Sequence, residues 1–204
     1  MNHSFRNVIT TEDELREIIG HPNPIIASLP TDAIDDNMRD FIANCPFVLI
    51  GSADASGNMD ISPKGDPAGF VHVLDDKTLI IPHRRGNRRG DTFLNILQNP
   101  KVGLLFLLPN KGDILRVNGR AQLVRDSELR EQMMVEGKAP ALLIAVTVEQ
   151  AFFHCPKCLQ RSKLWEGESN ALVASHLAKA AFNTGKIPQP LEVIEKTISS
   201  DDLY

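Results

Sequence analysis

The chain has 204 residues, 42% of them hydrophobic, enough to bury one substantial core. A formal charge of -4 argues against a general nucleic-acid binder, which needs a basic face to meet a phosphate backbone. No apolar run reaches membrane length, none follows Met1, and Cys45, Cys155 and Cys158 make no disulfide framework, so a cytoplasmic protein without a membrane partner is expected.

Thr11 and Glu14 stand at capping-box spacing and predict a helix running to about Gly20, where His21-Pro22-Asn23-Pro24 breaks it. A second helix over residues 35–44 places Ile34, Met38, Phe41 and Ile42 on one side. Residues 1–45 thus read as a helical extension packed on the rest of the chain or on a partner subunit. At Pro46 the period changes from helical to alternating. Residues 47–53 predict a strand, 54–57 a turn and 59–62 a second strand. In Ser62-Pro63-Lys64-Gly65-Asp66, proline and glycine are expected to end regular pairing and leave Lys64 on a loop. Residues 69–74 and 78–81 resume the sheet around a turn at 75–77. Short strands joined by tight turns favour an antiparallel barrel over a parallel, doubly wound sheet.

Next comes the densest charge in the chain. Arg84, Arg85, Arg88 and Arg89 surround a turn at Gly86-Asn87. Four guanidiniums repel one another unless something negative neutralises them, and their forks match phosphate oxygens two at a time. The competing reading is a solvated turn with surface ion pairs. Asp91 reads as the N-cap of a short helix carrying Phe93, Leu94, Ile96 and Leu97, with Pro100 beyond its end. An aspartate there would occupy some of the N–H donors an anion needs. Residues 102–108 are an unbroken apolar run, predicted to be a strand buried on both faces.

In the strand expected over 114–124, alternation sets Arg116, Asn118 and Arg120 on one face and Leu115, Val117 and Ala121 on the other. The polar face suits either a ligand mouth or solvent. A helix over 127–134 and a buried strand over 141–148 follow. Cys155-Pro156-Lys157-Cys158 lacks the two further ligands that zinc requires and the surroundings of a redox CxxC. A helical turn from Pro156 would put Lys157 and Arg161 on one side, with the Ser162 hydroxyl and the Trp165 ring close behind.

Five segments then occur in one order: SPKGD at 62–66, GNRRGD at 86–91, NPKVGLLF at 99–106, LRVNGRA at 115–121 and HCPKCLQRSKLW at 154–165. Together they resemble the pyridoxamine 5'-phosphate oxidase-like flavoproteins, the FMN-binding split barrels. The resemblance implies a mainly β, α+β fold: an antiparallel split barrel over 46–165 with flanking helices, and a C-terminal helical tail over 166–204. It implies an FMN-dependent oxidoreductase, a homodimer with FMN between the subunits, and a small-molecule substrate or reduced nicotinamide donor entering the same cleft. Its candidate cofactor-binding residues are Ser62, Lys64, Asn87, Arg88, Arg89, Arg116, Asn118, Lys157, Arg161 and Ser162; no residue is implied as catalytic and no metal is expected. The Arg-x-His segment with which vitamin B6 oxidases hold their substrate phosphate has no match in the chain. Two other function classes stay open: a carrier or sensor that binds flavin or haem without turnover, and a metal-stabilised nucleic-acid module built from the arginine turn and the CPKC segment, which the acidic balance opposes.

Overall fold

The computed structural model describes residues 5–166 and Pro190, so most of the helical tail expected at 166–204 lies outside the described residues. Seven strands form one antiparallel sheet: β1 (Phe47–Ala53), β2 (Met59–Gly65), β3 (His72–Asp75), β4 (Thr78–Pro82), β5 (Lys101–Leu107), β6 (Ile114–Val124) and β7 (Leu143–His154). Their order is β2-β1-β5-β6-β7-β4-β3. The helices are α1 (Glu12–Ile19), α2 (Pro24–Ala27), α3 (Asp36–Ala43), α4 (Asp91–Gln98), α5 (Ser127–Gln132) and α6 (Lys157–Ser162). β2 and β3 stand at opposite ends of the sheet. Asp66, just past β2, nevertheless pairs with Arg84, just past β4, so the sheet curls back on itself. This is the split barrel expected from the sequence.

Alternation builds the interior. Val48 and Ile50 of β1, Leu79 and Ile81 of β4, Leu104 and Phe106 of β5, Leu115 and Val117 of β6 and Val146 of β7 are buried together. Each such side chain contributes about 1.5–3 kcal/mol on leaving water. The stripe expected on α3 closes one side of this core: Ile34, Met38, Phe41 and Ile42 are buried. Asp35 caps that helix, its Oδ1 accepting from the Met38 N–H at 2.8 Å. α4 adds Ile96, and Phe41 meets Phe153 edge-on at 5.3 Å. α1 carries the full capping box expected at Thr11 and Glu14, yet neither α1 nor α2 buries a residue.

Several boundaries differ from expectation for identifiable reasons. β2 does not stop at Ser62; Pro63 pairs with Leu49 and Gly65 with Phe47. A sheet edge tolerates a proline because no further strand needs its missing N–H. β5 is not buried on both faces: Val102, Leu104 and Phe106 are buried, while Gly103, Leu105 and Leu107 are half-exposed on the outer side. β7 begins two residues later than expected and runs on through Phe152 and Phe153. Where Pro22 and Pro24 suggested only a break, Asn23 caps a single turn, α2. At the β6–β7 irregularity beside Gly119, a Cβ would stand 2.1 Å from the Thr147 carbonyl oxygen, so any side chain there forces two central strands apart.

Candidate functional site

The split between β2 and the loop following β4 is a cleft of about 810 Å³, within the ~300–1,000 Å³ typical of small-molecule sites. Register decides which β2 side chains face it. Lys64 lies opposite Val48, Ser62 opposite Ile50 and Asp60 opposite Ser52, so all three share the face of buried residues. Lys64 is therefore held by a strand, not by the loop expected from its neighbours. Its Nζ donates to Ser62 Oγ at 2.7 Å and lies 5.8 Å from the centre of the Phe93 ring. Burial pushes its pKa below the usual 10.5, with the Asp60 carboxylate partly opposing the shift. An ammonium so placed gains from any anion brought beside it.

The loop supplies Asn87, Arg88 and Arg89 to the same cleft. Its electrostatics differ from the simple sum of four guanidiniums. Arg84 donates through Nε to Asp66, whose side chain is 1% exposed, and through Nη2 to the Met133 carbonyl at 2.9 Å. Arg89 Nε donates to Asp91 Oδ2 at 2.8 Å, both groups being exposed. At least two of the four charges thus have carboxylate partners within the chain, so the ion-pair reading holds for part of the cluster. Arg88 is exposed, adopts a left-handed backbone with φ 60°, and makes no hydrogen bond or ion pair among the described residues.

Asp91 is not the N-cap of α4. Gly90, at φ 73°, takes that place with no side-chain acceptor, and the Phe93 and Leu94 N–H groups donate to its carbonyl. Asp91 occupies the first helical position with its carboxylate turned to Arg89. No side chain therefore competes with an anion for the opening N–H groups of α4. The helix is fixed to the barrel by Asn95 Nδ2, donating to Ser52 Oγ at 3.0 Å, and by Thr92 Oγ1, donating to Asp60 Oδ2 at 3.4 Å.

Asp60, His83, Thr92 and Phe93 also line the cleft and were missed as site residues. Stepping back two residues at a time from Lys64 and Ser62 would have found Asp60. His83 meets the Phe93 ring edge-on at 4.8 Å. Burial, with the Lys64 charge second, holds its pKa below the usual 6.5. Its imidazole is mainly neutral at pH 7.

The remaining expected residues lie elsewhere. Arg116 sits over the Phe152 ring at 4.9 Å, and Asn118 Nδ2 donates to Gln150 Oε1 at 2.9 Å. Both alternate with buried Val117 and pair across the ladder with Leu105 and Gly103, on the outer side of the sheet. Lys157 and Arg161 are exposed on α6, while Ser162 Oγ donates to the Leu159 carbonyl at 3.1 Å. None of these five lines the cleft of its own chain. Trp165 is tied by Nε1 to the Lys111 carbonyl at 2.9 Å. Cys155 and Cys158 are free thiols, and no group of three or more metal-ligating side chains occurs among the described residues.

Three solved structures give the scale of likeness. A candidate pyridoxamine 5'-phosphate oxidase from Lactobacillus delbrueckii shares 22% identity with a TM-score of 0.48, covering 60% of this chain and 95% of that one. An FMN-binding protein from Syntrophomonas wolfei shares 16% at 0.45, covering 56% and 82%. HutZ, the haem storage protein of Vibrio cholerae, shares 15% at 0.42, covering 58% and 93%. Likeness this distant does not bear on what the chain binds. No curated protein matches it significantly. Residues 34–155, more than half of the sequence, match the family model described as pyridoxamine 5'-phosphate oxidase, and the chain belongs to that family.

Proposed function

We propose that the protein is an FMN-dependent oxidoreductase that works as a homodimer. The observation that carries this reading is the convergence of Lys64, Ser62, Asn87, Arg88 and Arg89 on one cleft, with the uncapped start of α4 beside them. The donor set fits a flavin phosphate, nearly a dianion at neutral pH: a poorly hydrated ammonium, a guanidinium without a carboxylate partner, amide and hydroxyl donors, and a helix start. Lys64, Arg88 and the α4 N–H groups would hold the phosphate, with Arg89 exchanging its contact with Asp91 for one to phosphate. Bound FMN would supply reversible electron transfer through its isoalloxazine. The chain's own part is to bind and orient that ring, with Phe93 and His83 as the apolar wall that limits water.

The second group of expected residues belongs to the dimer. Arg116 and Asn118 lie on an outer sheet face that also carries half-exposed Leu49, Leu105 and Phe152. A second copy covering this face would bring Arg116 and Asn118, and Lys157, Arg161 and Ser162 of α6, toward the cleft of the first. The test is the absorption spectrum and turnover of the purified dimer. A bound flavin spectrum, with NADH or NADPH oxidised faster than by an equal amount of free FMN, is the expected result. A yellow protein no faster than free FMN would make it a carrier, and a haem Soret band without flavin would replace the cofactor.

A further inference from the structure

We infer that the N-terminal arm, residues 5–30, is a clasp for a second copy of this chain, landing on the Met59–Ile61 rim of that copy's cleft. The inference rests on the dimeric reading above and goes beyond it, since the barrels could dimerise without the arm.

The arm is the most apolar exposed surface among the described residues. Nine of the sixteen large hydrophobic side chains exposed among the described residues lie within residues 5–30. Leu15, Ile18 and Ile19 form the apolar stripe of α1, and Ile25, Ile26 and Leu29 continue it; Ile18 is 67% and Ile25 71% exposed. Monomeric proteins rarely leave such a patch in water. An eight-residue helix is also marginal by itself. The capping box and the Arg16–Glu12 pair at 3.2 Å secure its ends and its polar side, not its apolar one. A persistent α1 needs a surface to cover that stripe.

Where the arm begins argues against its own cleft as that surface. Thr31 exchanges two backbone hydrogen bonds with Ala151, at 2.9 and 2.7 Å, and Asp32 pairs with Lys77 at 2.8 Å. The cleft lies at the other end of β7, beside Leu142. Eight or nine strand residues separate the two ends, roughly 28 Å at the usual rise. The root is instead next to Phe152, on the outer face assigned to the second copy.

The landing surface is argued from chemistry. Met59 and Ile61 are 71% and 67% exposed on the edge strand β2, on the face opposite to Lys64, Ser62 and Asp60, and Ile61 borders the cleft. Across that cleft stands the basic turn. α1 is acidic, with Glu12, Asp13, Glu14 and Glu17 against Arg16. An apolar and acidic arm thus matches an apolar and basic rim, and each chain carries one of each. A two-fold axis satisfies all four surfaces at once. A clasp so placed would stand at the mouth of the cleft and slow the escape of a bound flavin.

The test is a full-length chain carrying Ile25→Cys and Ile61→Cys, with Cys155→Ser and Cys158→Ser to remove the exposed native thiols. Mild oxidation is expected to give a covalent dimer, while either single cysteine in the same background gives none. A disulfide formed within one chain, or a covalent dimer from Ile25→Cys alone, would overturn the clasp. A non-covalent dimer with no cross-link would overturn it too while leaving the dimeric flavin site intact; a monomer at all concentrations removes both. As a second readout, Ile18→Asp with Ile25→Asp should raise the FMN dissociation rate about five- to tenfold and make the thermal midpoint fall more steeply on dilution than in the wild type. An unchanged rate counts against the clasp.

Discussion

The two ends of the arginine turn use the same side chain for opposite purposes. At its base, Arg84 is folded against a carboxylate with 1% exposure and a backbone carbonyl, joining the two sides of the split barrel. At its rim, Arg88 stands in a left-handed conformation with no hydrogen-bond or ion-pair partner among the described residues. A charge cluster in a sequence therefore mixes scaffold and site, and only long-range pairing separates them. The difference predicts that variants at the base cost stability and variants at the rim cost ligand.

The largest effect is expected at the base. Asp66→Ala leaves the Arg84 guanidinium in a mostly buried position without its counter-charge, and breaking such a pair typically costs about 3–5 kcal/mol. Denaturant titration should show a lower midpoint with an unchanged slope. A loss under about 1 kcal/mol, the scale of an exposed pair, would mean that Arg84 finds water or another anion, and the contrast with Arg88 would weaken.

At the rim the sign of the comparison reverses. Arg88→Ala together with Arg89→Ala should weaken FMN binding about ten- to hundredfold for each charged hydrogen bond lost. The unliganded protein should unfold where the wild type does. Fluorescence titration with FMN measures the first and thermal melting the second. Full FMN affinity would remove both arginines from the phosphate site. Lys64→Met sharpens the distinction, because the Lys64 ammonium is disfavoured by burial in the cleft. Unliganded stability should rise, by about 0.5–1 kcal/mol at most, while FMN affinity falls. A rise in both would identify Lys64 as a poorly placed structural residue.

Much of this was legible locally. The Thr11–Glu14 box, the α3 stripe from Ile34 to Ile42 and the alternation of β6 need only neighbours in the chain, and all three are present in the structure. The misreadings share another cause. Pro63 and Gly65 look like strand breakers until β2 is known to be an edge, a fact set by the order of all seven strands. Asp91 has the composition of an N-cap, but Gly90 in the left-handed region takes the position and frees the carboxylate for Arg89. Asp66 and Arg84 are eighteen residues apart, and nothing local marks them as partners. The cleft group of expected site residues came together because β2 and the basic turn face one gap. Arg116, Asn118 and α6 did not, because they lie on other surfaces of the same chain.

The smallest predicted effect tests how dry the cleft wall is. Burial holds both His83 and His72 below the usual imidazole pKa of 6.5, with Lys64 adding to the first and Arg84 to the second. The unfolded chain takes up these protons at higher pH than the folded one, so their contribution is complete above 6.5 and is lost as pH falls through the lowered folded values. Unliganded wild-type protein should melt progressively earlier as pH falls below about 6.5. His83→Gln should flatten that decline by about a degree or two. Bound FMN should flatten it too, because a phosphate beside Lys64 offsets the cation that helps keep His83 neutral. A decline unchanged by either would mean that His83 is solvated in the free protein, and that the cleft is wetter than its edge-on contact with Phe93 implies.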